Sequence, residues 1–209
     1  MDVITTHINA DFDSLASMLA AKKLYPDAVL VFPGSQERSL RDFFIHSTLY
    51  SFEVERIKNI DLQEVRRLIL VDTRQISRIG KFSEVLSKSD LDIHIYDHHP
   101  PSSEDLHGSV EVISEVGATV TLLLDILQKK GLEITSEEAT VMMLGIYEDT
   151  GNLTFPSTRE EDFKAAGYLV RKGANLSILS NVITKELTAE QVFLLNDLIQ
   201  SASRYNFHG

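Results

Sequence analysis

The chain has 209 residues, 43% of them hydrophobic and 24% charged, with a formal net charge of -11 and no cysteine. A chain of this length can bury a full core, as one large α/β unit or as one domain with an appended helical tail, and the lack of thiols excludes a disulfide framework. The acidic balance opposes broad, salt-driven attachment to a nucleic-acid backbone, and apolar runs such as Leu68 to Val71 fall far short of the ~20 residues that span a bilayer.

In chain order, Val3 to Thr6 reads as a short buried strand, followed by a loop and a helix through Ala16, Leu19, Ala20 and Leu24 that ends before Pro26. Ala28 to Phe32 reads as a second strand closed by Pro33-Gly34, and a helix over Gln36 to Thr48 carries Leu40, Phe43 and Phe44 on one face. Leu68 to Val71 and Ile93 to Tyr96 are apolar strands that end in Asp72 and Asp97. After Pro100-Pro101 a polar loop leads to a strand near Val110 to Ile113. Helices then dominate: Gly117 to Lys130, one capped at Thr135-Ser136-Glu137-Glu138 and running toward Asp149, Glu160 to Arg171, and Ala189 to Ala202. Strands alternating with helices predict a mainly parallel sheet flanked by helices, with a helical C-terminal part and a ligand site beyond the carboxyl ends of the strands. The expected organisation is one domain over residues 1 to 185 and a connector over 186 to 209 leading to a further C-terminal domain.

Potential metal ligands gather in four separated places: His7, Asp11 and Asp13; Asp72; Asp97, His98 and His99; and Asp149. The first reads H-x3-D-x-D, and two aspartates two apart can face two different ions. Carboxylates with a few imidazoles suit Mn2+ or Mg2+, with Co2+ also acceptable, better than thiolate-seeking metals. Each place alone has an ordinary explanation: an Asp before a helix caps it, and an Asp after a strand is a common turn residue. Two adjacent imidazoles after a carboxylate at a strand end have little packing value. The joint occurrence, in this order, is the specific signal. The opening Met-Asp-Val-Ile lacks the basic and long apolar regions of a signal peptide, so the expected setting is a reducing cytoplasm.

The stretches His7 to Asp13, Val71-Asp72-Thr73, Asp97-His98-His99-Pro100 and Glu148-Asp149-Thr150-Gly151 together resemble the DHH phosphoesterase superfamily over residues 1 to about 175. A closer similarity, in Val71 to Arg74, Ser77 to Gly80, Gly117-Ala118-Thr119 and Gly145 to Gly151, is to the exopolyphosphatase-related DHH module at the front of bacterial proteins that continue into a tRNA nucleotidyltransferase or poly(A) polymerase domain.

The resemblance implies two divalent cations. His7, Asp11 and Asp72 would hold one, Asp13, Asp72, His98 and Asp149 the second, and Asp72 would bridge them. It implies hydrolysis of a small phosphorylated substrate or short single-stranded RNA, with His99 contacting the phosphate or protonating the leaving group. A nucleotide-sensing module of a larger protein and an inorganic pyrophosphatase are the alternatives. Asp97 is expected to orient the neighbouring imidazole by accepting a hydrogen bond rather than to bind metal. Arg74 and Arg78 are candidate phosphate clamps, and Gly117 to Thr119 a candidate helix start offering backbone N-H groups to phosphate.

Overall fold

A computed structural model describes residues 1–46, 52–183 and 189–203. Six strands form one parallel sheet in the order β3-β2-β1-β4-β5-β6: β1 (Asp2–Thr5), β2 (Val29–Phe32), β3 (Val54–Arg56), β4 (Arg67–Val71), β5 (Asp92–Asp97) and β6 (Val110–Ile113). The helices are α1 (Phe12–Leu24), α2 (Arg38–His46), α3 (Thr119–Lys129), α4 (Ser136–Asp149), α5 (Glu160–Arg171), α6 (Leu176–Ile183) and α7 (Ala189–Ser201). The predicted parallel α/β fold with a helical C-terminal part is what the chain adopts. Positions 47 and 48 of the second predicted helix, residues 184–188 at the expected domain boundary, and 204–209 lie outside the described residues.

Strand side chains alternate between two cores, as a sheet covered on both faces requires. Ile4, Leu30, Ile69, Val71 and Tyr96 face α1, α3 and α4, while Val3, Val31, Leu68, Leu70 and Ile95 pack on Phe82 and Val85 of a 3-10 segment, Gly80–Ser87. Each fully buried Leu or Ile contributes about 1.5–3 kcal/mol.

Helices α1 and α4 are buried nearly all round, and their crossing is tight because of one residue. A Cβ on Gly145 would lie 2.8 Å from the Ala16 Cβ and 3.0 Å from the Asp13 Cα. The N-terminus of α4 is fixed by a capping box between Thr135 and Glu138.

Strand order reverses direction between β1 and β4, which pair in parallel with Thr5 opposite Leu70. Chain leaving these two strands diverges and opens a crevice beyond their carboxyl ends, where open α/β sheets bind ligands. Among the described residues no helix is long and apolar enough to cross a membrane.

Candidate metal centre

The loop after β1 carries His7 and delivers Asp11 and Asp13 to the start of α1. Asp11 is the N-cap of α1, its side chain accepting the Ser14 N-H at 2.9 Å, so the capping role and a place in the cluster coexist. Asp72 follows β4 in a left-handed conformation, φ 60°, and Asn9 in the first loop has φ 61°. Left-handed backbone at a non-glycine residue costs about 1–3 kcal/mol and marks places where the surroundings fix a side chain for use.

Asp13, Asp72, His98 and Asp149 offer ligand atoms that all lie within 4.8 Å of one another, and the same holds for His7, Asp11 and Asp72 and for Asp72, His98 and His99. Asp72 is common to all three groups. Side chains from the ends of β1, β4 and β5 and the end of α4 thus meet at the crevice.

Both candidate histidine ligands are aimed by their other nitrogen. His7 Nδ1 lies 2.9 Å from the Ile8 carbonyl, and His98 Nδ1 lies 3.0 Å from the Val116 carbonyl. Because a carbonyl only accepts, each Nδ1 carries a proton, and Nε2 is the atom turned to the carboxylates. His98 Nε2 is buried and, although 3.3 Å from Asp149 Oδ2, is not aligned for a hydrogen bond with any partner. A buried ring nitrogen left unsatisfied among carboxylates is the feature a cation explains.

The electrostatics point the same way. Burial and the neighbouring Asp72 and Asp149 push the Asp11 carboxyl up to about 6, and the same causes raise Asp13 well above the ordinary range. Asp149 is also raised, chiefly by burial. Burial works to raise Asp72 as well, but the hydrogen bond from His7 and the charges of His7, His98 and His99 hold it below the usual range. Burial would lower His98, yet Asp149, Asp13 and Asp72 lift it to about 10. Four carboxylates in one crevice repel one another, and divalent cations relieve that repulsion.

Asp97 accepts from His99 Nδ1 at 2.7 Å, so the imidazole it orients is that of His99, which is partly exposed. Three residues expected to contact substrate have partners within the protein. Arg74 is 5% exposed; its guanidinium donates to Asp105 at 2.6 Å and to the His99 carbonyl at 3.0 Å, while its Nη1, 3.4 Å from Asp97 Oδ2, is buried without a hydrogen bond, so Arg74 braces the Asp97 to His99 turn. Gly117 is buried and gives its N-H to Asp162 of α5, and a Cβ there would strike Asp162 and Thr150. Thr119 is buried too: its N-H donates to Asp13 Oδ2 at 2.6 Å and its hydroxyl to Asp72 Oδ1 at 3.0 Å. The start of α3 thus gives its Thr119 N-H to a carboxylate of the cluster. Arg78 is half-buried, its carbonyl accepts from the Ile8 N-H, and its side chain has no partner among the described residues.

Two residues of the centre were given no role in the sequence reading. The Ser14 hydroxyl is buried, donates to Asp72 Oδ2 at 2.9 Å, lies 2.7 Å from His7 Nε2 and accepts from Thr6. Glu148 accepts the Phe12 N-H at 2.6 Å, between Asp11 and Asp13. Each lies within three residues of a candidate ligand in the sequence, which is the one signal that could have found them.

Residues 3–146 match the DHH family, N-terminal domain. The chain belongs to the DHH family. Among curated proteins this DHH chain is similar to the A-adding tRNA nucleotidyltransferase of Geobacter sulfurreducens, 55% identical over 96% of the chain and 23% of the relative. It is also similar to the bifunctional oligoribonuclease and PAP phosphatase NrnA of Thermus thermophilus, 28% identical over 99% of the chain and 60% of the relative. The chain thus spans less than a quarter of the length of the first relative. Its fold is shared with the crystal structure of an exopolyphosphatase-related protein from Bacteroides fragilis, TM-score 0.76 and 18% identity, over 97% of this chain and 62% of that one.

Proposed function

We propose that this DHH chain hydrolyses phosphoester or phosphoanhydride bonds of a small phosphorylated substrate or short single-stranded RNA, with two divalent cations as cofactors. The observation that carries this reading is the sharing of Asp72 among three ligand groups. His7, Asp11 and Asp72 would hold one ion, and Asp13, Asp72, His98 and Asp149 the other. When bound, such a pair supplies Lewis-acid activation of water and neutralises charge on the phosphate oxygens. Oxygen and imidazole donors without thiolate suit Mn2+ first, with Mg2+ and Co2+ as alternatives.

The chain's own groups do the rest. Asp72, held by Ser14, Thr119 and a fixed backbone, keeps the two ligand sets in register. His99 receives its orientation from Asp97 through Nδ1, so its Nε2 is the atom that meets the substrate phosphate or hands a proton to the leaving group. Arg78, uncommitted beside the His7 loop, is the cation for a phosphate oxygen. The named activities of the Thermus relative, on oligoribonucleotides and PAP, support a phosphoester substrate. The reading includes a cytoplasmic setting and further domains of the same polypeptide.

A second reading has a specific observation behind it, the 55% identity to a segment of a relative named for tRNA nucleotidyl transfer. On that view the module senses a nucleotide and controls an attached domain. One experiment separates the two. Short RNA, pAp, pyrophosphate and bis(p-nitrophenyl) phosphate are incubated with Mn2+ and then with EDTA. Metal-dependent cleavage that Asp72→Asn lowers at least about a thousand-fold supports hydrolysis. Intact substrates beside metal-dependent nucleotide binding support sensing, and cleavage confined to pyrophosphate makes the chain a pyrophosphatase.

A further inference from the structure

A cavity of about 380 Å³ opens over the carboxyl ends of β2 and β3, lined by Phe32, Gly34, Gln36, Phe44, Phe52 and Arg56 among others. It lies on the carboxyl-end side of the sheet, as the metal crevice does, because Phe32 and Arg56 are paired terminal residues of their strands and β2 pairs with β1. Its wall is stitched to the ligand loop. Ala10 donates its N-H to the Ser35 carbonyl at 3.1 Å and accepts the Glu37 N-H at 2.8 Å, and a Cβ on Gly34 would meet Ile8 at 3.3 Å. Ala10 is the residue before Asp11, so the segment that carries Gly34 and Gln36 is hydrogen-bonded to the loop that carries a candidate ligand.

We infer that this cavity is a nucleobase subsite, and that the substrate hydrolysed at the metal centre is a nucleotide or short oligoribonucleotide whose base carries an exocyclic amino group. The inference rests on the hydrolytic reading above and narrows its substrate.

The lining decides between occupants. Phe32 and Phe44 meet edge to face, ring centroids 6.4 Å apart, and Phe52 adds a third half-buried ring. Flat aromatic faces stack with bases, whereas a polyphosphate chain needs several cations, and Arg56 is the one Lys or Arg in the lining. Arg56 is exposed and has no ion-pair partner among the described residues, so it is placed to meet a base face or a backbone phosphate. Gln36 donates its amide to the Gly34 carbonyl at 2.8 Å. That bond fixes the carboxamide and leaves its oxygen to accept from the amino group of adenine or cytosine. The volume falls within the range of small-molecule sites, about 300–1,000 Å³.

The test separates the subsite from the chemistry by using a ligand without phosphate and a protein without metal. Saturation-transfer NMR is recorded on adenosine, inosine and ribose with the full chain in EDTA. Adenosine is expected to receive saturation, ribose none, and inosine, which lacks the amino group, less than adenosine. Phe44→Leu, which keeps apolar bulk and removes the ring, is expected to weaken adenosine binding about ten-fold. Its Mn2+ affinity, measured by calorimetry, is expected to match the parent chain. Absent adenosine binding, equal saturation of ribose, or a Phe44→Leu chain that loses Mn2+ and adenosine affinity together overturns the inference. Failure of hydrolysis with adenosine still bound refutes the proposed function and leaves the subsite standing.

Discussion

Glu148 stands next to Asp149 in the sequence, yet its carboxylate is spent on the backbone of another helix. By accepting the Phe12 N-H it ties the segment between Asp11 and Asp13 to the helix that presents Asp149. Glu148→Ala is expected to lower Mn2+ affinity about ten-fold, in the range of residues that hold ligands in place, while Glu148→Gln, which keeps an acceptor oxygen, retains most of it. Calorimetric titration checks both. Burial and the charges of Asp11, Glu37 and Asp149 outweigh the Phe12 bond and push Glu148 from 4.5 up to about 7. Between those values the folded chain holds a proton that the unfolded chain has lost, so this contribution is present below pH 4.5 and disappears as pH rises to about 7. Urea melts of metal-stripped protein should show stability falling across that window by roughly 2–3 kcal/mol from this group, with a flatter profile in Glu148→Gln. Asp72 and the paired imidazoles were legible because they end apolar strands. The Ser14 and Glu148 contacts were not, since their partners lie 58 and 136 residues away. For Arg74 the sequence shows a guanidinium fork but not its burial beside Asp105.

At the scale of elements, the crossing of α1 and α4 sets the distance between Asp13 and Asp149. Gly145→Ala inserts a methyl group 3.0 Å from the Asp13 Cα and 3.1 Å from the Phe12 carbonyl oxygen, and backbone atoms do not step aside as a flexible side chain does. A stability loss of about 1–3 kcal/mol is expected, with weaker Mn2+ binding in the folded fraction, and thermal melts with calorimetry check the two effects. The apolar strands and capped helices were readable from composition: β6 and α5 span their predicted residues, and α4 starts where its cap is. Strand β3 was missed because Val-Glu-Arg is short and lies at the sheet edge, where one apolar residue suffices. The 3-10 segment Gly80–Ser87 was missed because its two buried residues, Phe82 and Val85, lie three apart but are too few to mark a helical face in the sequence.

For the molecule as a whole, a net charge of -11 with four carboxylates in one crevice would couple the proposed metal binding to folding. Saturating Mn2+ at about 100 times its dissociation constant is expected to add about 2.7 kcal/mol of stability, and EDTA to remove it, as read by calorimetric melts. Protons compete for the same atoms. With Asp11 near 6 and His98 near 10, binding at pH 7 must displace protons, chiefly from His98, so apparent affinity should rise with pH. Titrations in buffers of different ionisation enthalpy measure that release.

Asp13 receives the Thr119 N-H at 2.6 Å and the Val120 N-H at 3.0 Å, one on each oxygen, while the crowded face of α1 stands behind it. A carboxylate clasped in this way cannot swing to embrace a bulky guest. Ca2+ prefers six to eight oxygens at about 2.3–2.6 Å in a pliable shell, whereas Mg2+ accepts a compact octahedron. The rigid seat should therefore sort cations by ionic radius, with stoichiometric Mn2+ displacing excess Ca2+ in competition titrations and Ca2+ unable to sustain turnover.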